Sequence, residues 1–124
     1  MKILIVDDKE AFQFTQVMKK LFPDAEIDNA DRSETAVEMV RKNQYSFVTM
    51  DGDLGVWSSK SGPETIEEIR KFNRSIPIIM LSNSDSWNDL GRKTGANASM
   101  NKDLFLRVEK ADFKKLLAEI GVIS

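Results

Sequence analysis

Ile3-Leu4-Ile5-Val6-Asp7-Asp8 is the stretch on which the fold turns: four consecutive apolar residues, three of them β-branched, followed at once by two carboxylates. A strand with one wet face would alternate apolar and polar residues. A continuous apolar run instead reads as a strand of a parallel sheet, buried on both faces. Acidic residues directly after such a strand sit where open α/β sheets hold their ligands, beyond the carboxyl ends of the strands.

Outward from this run the chain alternates. Phe14, Val17, Met18 and Leu21 recur at helical spacing, and the pattern stops at Pro23. Glu26 to Ala30 reads as a second, more polar strand nearer a sheet edge. Ser33 to Lys42 reads as a helix with Ala36, Val37 and Val40 inward, capped by Ser33 or by Asp31. Tyr45 to Met50 is a third strand running into Asp51, and Gly52 to Pro63 is a loop rich in Gly and Ser. Glu64 to Phe72 is a helix, with Pro63 suited to its first turn. Ile76 to Leu81 is the clearest strand of all. A short helix near Trp87 to Lys93 follows, stopped by Gly95. Ala98 to Asn101 forms a short, polar fifth strand. Phe113, Leu116, Leu117 and Ile120 mark the core face of a last helix. Five strands alternating with five helices imply right-handed crossovers and a doubly wound parallel sheet, flavodoxin-like (βα)5, with strand order 2-1-3-4-5. Residues 1–124 show no repeat, linker or low-complexity tract and read as one domain.

Composition narrows the chemistry. The 124 residues are 41% hydrophobic and 31% charged, enough for one core and a hydrated surface. A formal net charge of -2 argues against a nucleic-acid-binding face. With no cysteine there are no disulfides and no thiolate metal sites, and with no histidine the commonest general base and transition-metal ligand are missing. Any metal is then expected to be a hard, oxygen-seeking cation such as Mg²⁺. No stretch has the roughly 20 apolar residues of a membrane span or the form of a secretory signal, so the protein is expected to be cytoplasmic.

The polar residues at strand ends converge. Asp7 and Asp8 follow the first strand, Asp51 ends the third, Ser82 the fourth and Lys102 the fifth. In the order 2-1-3-4-5 the first and third strands are neighbours at the switch point, which brings the three carboxylates together. Their repulsion is relieved by a shared proton or a bound cation. A carboxylate beside Mg²⁺ can attack a phosphoryl group to give an acyl phosphate, whose oxygens Lys102 and Ser82 are placed to hold.

These residues resemble the receiver domain of bacterial two-component response regulators. The likeness rests on Ile3 to Asp8, on Asp51 after a hydrophobic strand, on Ile78-Ile79-Met80-Leu81-Ser82, and on Lys102 following Gly95-Ala96. It implies that Asp51 is the phosphoacceptor and Asp8 a direct Mg²⁺ ligand, supported by Asp7, with the backbone carbonyl of Asp53 a further ligand. It also implies that Ser82 is the hydroxyl that moves toward the phosphoryl group and that Lys102 pairs with Asp51. The phosphoryl source is then a sensor histidine kinase or histidine phosphotransferase, and output passes to a downstream target protein. That output surface lies approximately within Asp85 to Ile120. Neither nucleic acid nor membrane is an expected partner, and the expected state is a free-standing domain, monomeric or weakly dimeric. Three positions depart from the family pattern. Asp103 stands where proline usually follows the lysine, so a trans peptide is expected there. Ser99 stands where an aromatic switch residue usually lies, and Asn83 replaces a small residue, crowding the path to Asp51. The loop after Asp51 is also longer than usual and carries Trp57 and Lys60.

Other readings stand beside this one. Asp7 and Asp8 serve equally well as caps of the following helix. Ser82, taken alone, is a small polar residue at a strand end. Trp57 and Trp87 either mark a partner surface or cover the core edge. The mixed charges of Arg107 to Lys115 read as a solvated helix face with its approach. At the level of function, a degenerate receiver that binds partners without phosphorylation is the alternative, favoured by Asn83, Ser99 and Asp103. An aspartyl-phosphate phosphatase of the haloacid dehalogenase type is a remote one. Met50-Asp51-Gly52-Asp53-Leu54 resembles that family's Asp-x-Asp motif, but the motif's metal-binding acidic pair lies downstream, whereas Asp7 and Asp8 lie upstream.

Overall fold

Alternate residues of the first strand, β1 (Lys2–Val6), serve two different cores. In the computed structural model, which describes residues 1–124, Leu4 and Val6 point into one apolar layer and Ile3 and Ile5 into another. The period of two along a strand makes this possible, and burial on both faces is what the unbroken apolar run requires. The remaining strands are β2 (Glu26–Ala30), β3 (Phe47–Asp51), β4 (Ile78–Leu81) and β5 (Ala98–Met100), all parallel, in the order β2-β1-β3-β4-β5. This is the expected doubly wound topology. Strand β2 is polar and lies at an edge, as its sequence suggests.

Helix α1 (Ala11–Leu21), the short α5 (Lys102–Leu106) and α6 (Lys110–Glu119) cover one face. There Phe14, Phe105 and Phe113 form an edge-to-face aromatic chain, with centroids 5.4 Å and 5.5 Å apart. On the other face lie α2 (Ser33–Lys42), α3 (Gly62–Arg70) and α4 (Asp85–Thr94), through Ala36, Val40, Ile66, Ile69 and, at its margin, Trp87. Both faces are dry, so each core strand buries its full side-chain set, at about 1.5–3 kcal/mol for each large apolar side chain. No helix is long and apolar enough to cross a membrane.

Several element boundaries differ from the sequence expectations. Strand β3 begins at Phe47 rather than Tyr45 and runs through Asp51 itself. Tyr45 instead lies on the approach, donating its hydroxyl to Asp28 at 2.7 Å. Helix α3 starts at Gly62, because Ser61 and Glu64 close a reciprocal capping box in front of it. Helix α2 uses neither proposed cap. Asp31 pairs with Arg32, and Ser33 is buried inside the first turn, accepting a hydrogen bond from Thr65 Oγ1 at 2.7 Å. The largest difference is a sixth helix. Asn101 accepts from the backbone N–H groups of Asp103 and Leu104, which starts α5 immediately after β5. Lys102 is therefore the first residue of a helix and not the end of a strand. The Lys102–Asp103 peptide is trans, as expected.

Two glycines let α3 and α4 close on the sheet. A Cβ on Gly62 would lie 1.8 Å from the carbonyl oxygen of Asp51, and one on Gly91 would lie 2.1 Å from Met80 Cγ. The Gly62 contact is with backbone, which cannot yield as a side chain does. Gly62→Ala is expected to destabilise the fold by about 2–3 kcal/mol, read as a lower urea midpoint with little change in slope.

Candidate functional site

The site sits at the carboxyl end of the sheet, where β1 and β3 are neighbours and the crossovers leave in opposite directions. Pairing of Val6 with Met50 puts Asp7 and Asp51 side by side, and pairing of Asp51 with Leu81 puts Ser82 one residue beyond the next strand end. Carboxylate oxygens of Asp7, Asp8 and Asp51 all lie within 4.8 Å of one another. Three negative charges at that spacing are unstable unless something positive is brought in.

Lys102 brings it in. The first turn of α5 delivers its ammonium into the pocket, 3.0 Å from Asp51 Oδ1, 3.1 Å from Asp7 Oδ2 and 3.3 Å from Glu10 Oε1. The lysine is 7% exposed, and its ammonium lies 5.7 Å from the centre of the Phe14 ring. Burial works against its charge, but Asp51 and then Asp7 outweigh that and hold the ammonium above its ordinary pKa. Asp51 is also shifted upward, which for a carboxyl favours the neutral form. Burial first, and Asp7 second, raise its carboxyl to about 7 against the pull of Lys102 and of the Gly52 N–H at 2.7 Å.

Asp7 has two tasks. Its Oδ1 accepts the backbone N–H groups of Lys9 and Glu10, both at 2.8 Å, which fixes the turn between β1 and α1 without capping the helix itself, while Oδ2 faces Lys102. That second oxygen is within ion-pair distance of the ammonium but off its hydrogen-bonding direction. Asp8 is different: its Oδ1 is buried and has no partner. The backbone of Gly55 (φ 80) closes over Asp8 so tightly that an added Cβ would meet Asp8 Oδ2 at 2.6 Å. An orphaned carboxylate oxygen, two more carboxylates within reach and an all-oxygen donor set fit a hard divalent cation such as Mg²⁺.

The other residues singled out in the sequence fall around this centre. Asp53 is exposed, its side chain accepts the Gly55 N–H at 2.9 Å, and it borders a cleft with Asp8, Lys9, Val56 and Trp57. Ser82 is buried, and its hydroxyl oxygen accepts the Ser84 N–H at 3.0 Å. The two atypical residues Asn83 and Asp103 meet each other. Asn83 Oδ1 accepts the Asp103 N–H at 3.2 Å, and its amide nitrogen donates to the Asp103 carboxylate at 3.4 Å. Ser99 accepts from Arg92, and together they line a polar groove between α4 and β5. Trp57 is 79% exposed, whereas Trp87 covers the core edge. Sequence reasoning missed Glu10 as a third carboxylate on Lys102 and Asn101 as the cap that orients it. The pattern Asn101-Lys102-Asp103 was legible as a helix start.

The response regulator receiver domain family model matches residues 3–115, and the chain belongs to that family. Among solved structures it is similar to the receiver domain of NtrX from Brucella abortus, with a TM-score of 0.78 at 18% identity, covering 98% of this chain and 99% of that one. A CheY-like receiver domain protein from Methanospirillum hungatei gives 0.75 at 22% identity, covering 96% of this chain and 94% of the other. A longer NtrX chain from Brucella abortus gives 0.76 at 22% identity, covering 98% of this chain, which spans only 26% of that one. At these identities the likenesses carry the fold alone.

The raised Asp51 carboxyl has a consequence for stability. The folded protein holds this proton more tightly than the unfolded chain, so the associated stability is present at acid pH and is lost as pH rises from about 4 through about 7. In chelator-treated protein, wild type is expected to lose about 2–3 kcal/mol relative to Asp51→Asn between pH 5 and pH 8, by urea denaturation at each pH. Parallel stability curves for the two proteins would contradict this account of the carboxyl.

Proposed function

We propose that this receiver domain is a phosphoacceptor switch of a two-component phosphorelay, with Asp51 as the acceptor. One observation carries the reading. A buried ammonium, Lys102 Nζ, holds Asp51 at 3.0 Å and Asp7 at 3.1 Å while an oxygen of neighbouring Asp8 is buried without a partner. A purely structural ion pair has no use for the third carboxylate.

In the proposed reaction an Asp51 carboxylate oxygen attacks the phosphorus of a phosphohistidine on a sensor kinase or histidine phosphotransferase. The O–P bond forms, the P–N bond breaks, and the imidazole leaves with the bonding pair and takes a proton from solvent. Asp8, Asp51 and the backbone carbonyl of Asp53 are the residues that would hold Mg²⁺, with Asp7 supporting them. The ion would supply charge neutralisation for the phosphoryl oxygens. Lys102 keeps Asp51 oriented, and its ammonium stays charged to meet the phosphoryl group. The Ser82 O–H is free to donate, since its oxygen is the acceptor in the bond with Ser84. Signalling then passes through protein contacts, with the domain acting as a monomer or weak dimer and without catalytic turnover of a substrate. The exposed Asp53 side chain, committed to Gly55, is not arranged as the second acid of an Asp-x-Asp phosphatase.

The test is intact-mass spectrometry after incubation with acetyl phosphate and Mg²⁺. Wild type is expected to gain one phosphoryl group, about 80 Da, and Asp51→Asn to gain none. Lys102→Met is expected to be labelled far more slowly. A wild type that takes up no phosphoryl group, and whose melting temperature Mg²⁺ leaves unchanged, is instead a receiver that works without phosphorylation.

A further inference from the structure

Phosphorylation of a receiver matters only if some element away from the acceptor differs between the two states. Here the aromatic residue expected on the fifth strand is replaced by Ser99, which is committed to Arg92. An aromatic side chain nevertheless touches the acceptor's immediate neighbourhood from a different element.

Trp87, in the first turn of α4, rests on Gly52, the residue that follows Asp51. A Cβ built on Gly52 would lie 2.5 Å from Trp87 Cγ and 2.7 Å from Trp87 Cβ, so the root of the indole occupies the space a side chain there would fill. Gly52 is itself tied to the acceptor, donating its N–H to Asp51 Oδ1 at 2.7 Å, and its carbonyl accepts the Gly62 N–H at 2.8 Å. The same helical turn is tied to Ser82. The Ser82 hydroxyl oxygen accepts from Ser84 N, the Ser84 hydroxyl oxygen accepts from Trp87 N at 3.3 Å, and Asn88 Nδ2 donates to the Ser82 carbonyl at 3.0 Å. Two routes therefore run from the acid pocket to Trp87, one through Gly52 and one through the cap of α4.

We infer that Trp87 is the residue through which occupancy of the Asp51 site is read out to helix α4, in place of an aromatic on β5. The inference rests on the phosphoacceptor reading above. Forming the O–P bond turns the Asp51 carboxylate into an acyl phosphate, whose remaining carbonyl oxygen carries less charge and is a weaker acceptor for the Gly52 N–H. Ser82 Oγ, turning toward the phosphoryl oxygens, leaves the Ser84 N–H and loosens the cap that positions Trp87. Both changes act on the same indole and on the exposed face that carries Asp85, Asp89 and Leu90.

Coupling of this kind is reciprocal, so a change at Trp87 must alter affinity at the acid pocket. The probes are Mg²⁺ alone and then Mg²⁺ with beryllofluoride, a phosphoryl mimic, with bound beryllofluoride followed by its own fluorine NMR signal. Trp57→Phe assigns the two indole N–H resonances. Mg²⁺ is expected to shift mainly Trp57, which borders the cleft beside Asp8. Beryllofluoride is expected to shift Trp87 together with the amides of Ser84 and Asn88. Trp87→Ala is expected to change beryllofluoride affinity about fivefold or more, and Trp87→Phe, which keeps a ring on Gly52 and guards against loss of folding, to restore most of it. Bound beryllofluoride with an unmoved Trp87 indole, or with unchanged affinity in both folded variants, overturns the inference and leaves the acceptor reading standing. No bound beryllofluoride in the presence of Mg²⁺ overturns both.

Discussion

One buried ammonium organises this molecule. Lys102 lies among Asp7, Glu10 and Asp51, and without it the carboxyl end of the sheet would hold like charges within a few ångströms in a desolvated pocket. A buried ion pair adds little net stability, because desolvation consumes most of the attraction. What it provides here is position. Asn101 starts α5 so that Lys102 is aimed inward, Phe105 of the same helix locks into the aromatic chain beneath it, and the lysine then fixes where the Asp51 carboxylate points.

The sheet supplies the other half of the arrangement. Because β1 and β3 are adjacent and parallel, residues from the two strand ends meet with no long loop between them. Helices α3 and α4, on one face, and the loop before α3 then crowd the same corner, which is where side chains must be absent. Gly62 admits α3 onto the carbonyl of Asp51, Gly52 admits Trp87, and Gly55 admits the loop onto Asp8. The long loop that follows is not free of the body. Ser59 donates to Glu34 and Ser58 accepts the Ser33 N–H, which ties the loop to the start of α2. Its tip, Val56 and Trp57, is left exposed beside the cleft.

Most of the fold was legible in the sequence because its three central strands are largely apolar runs, and such runs report burial directly. Strand order, the two-faced core and the meeting of Asp7, Asp8, Asp51 and Lys102 followed from that reading and from one resemblance. The failures share a cause. The cap of α2, the start of α3 and the existence of α5 all depend on short polar residues, each able to cap a helix, bond another side chain or face water. Ser33 was such a candidate and instead bonds Thr65, which is distant in sequence. The partnership of Asn83 with Asp103 was invisible for the same reason: two separate departures from a family pattern are one contact only once the chain is folded. Glu10 escaped notice because nothing in a single sequence says that a residue at the mouth of α1 reaches a lysine near the other end of the chain.

The most direct measurement is a crystal structure of the wild-type protein grown with Mg²⁺ and beryllofluoride. The account predicts the ion on Asp8 and Asp51, the fluorides contacted by Lys102 and Ser82, and the Lys102 ammonium still beside Asp51. An ion bound elsewhere, or a Lys102 side chain expelled to solvent when the cation arrives, would contradict it. In that case the lysine is only a counter-charge for the acidic pocket.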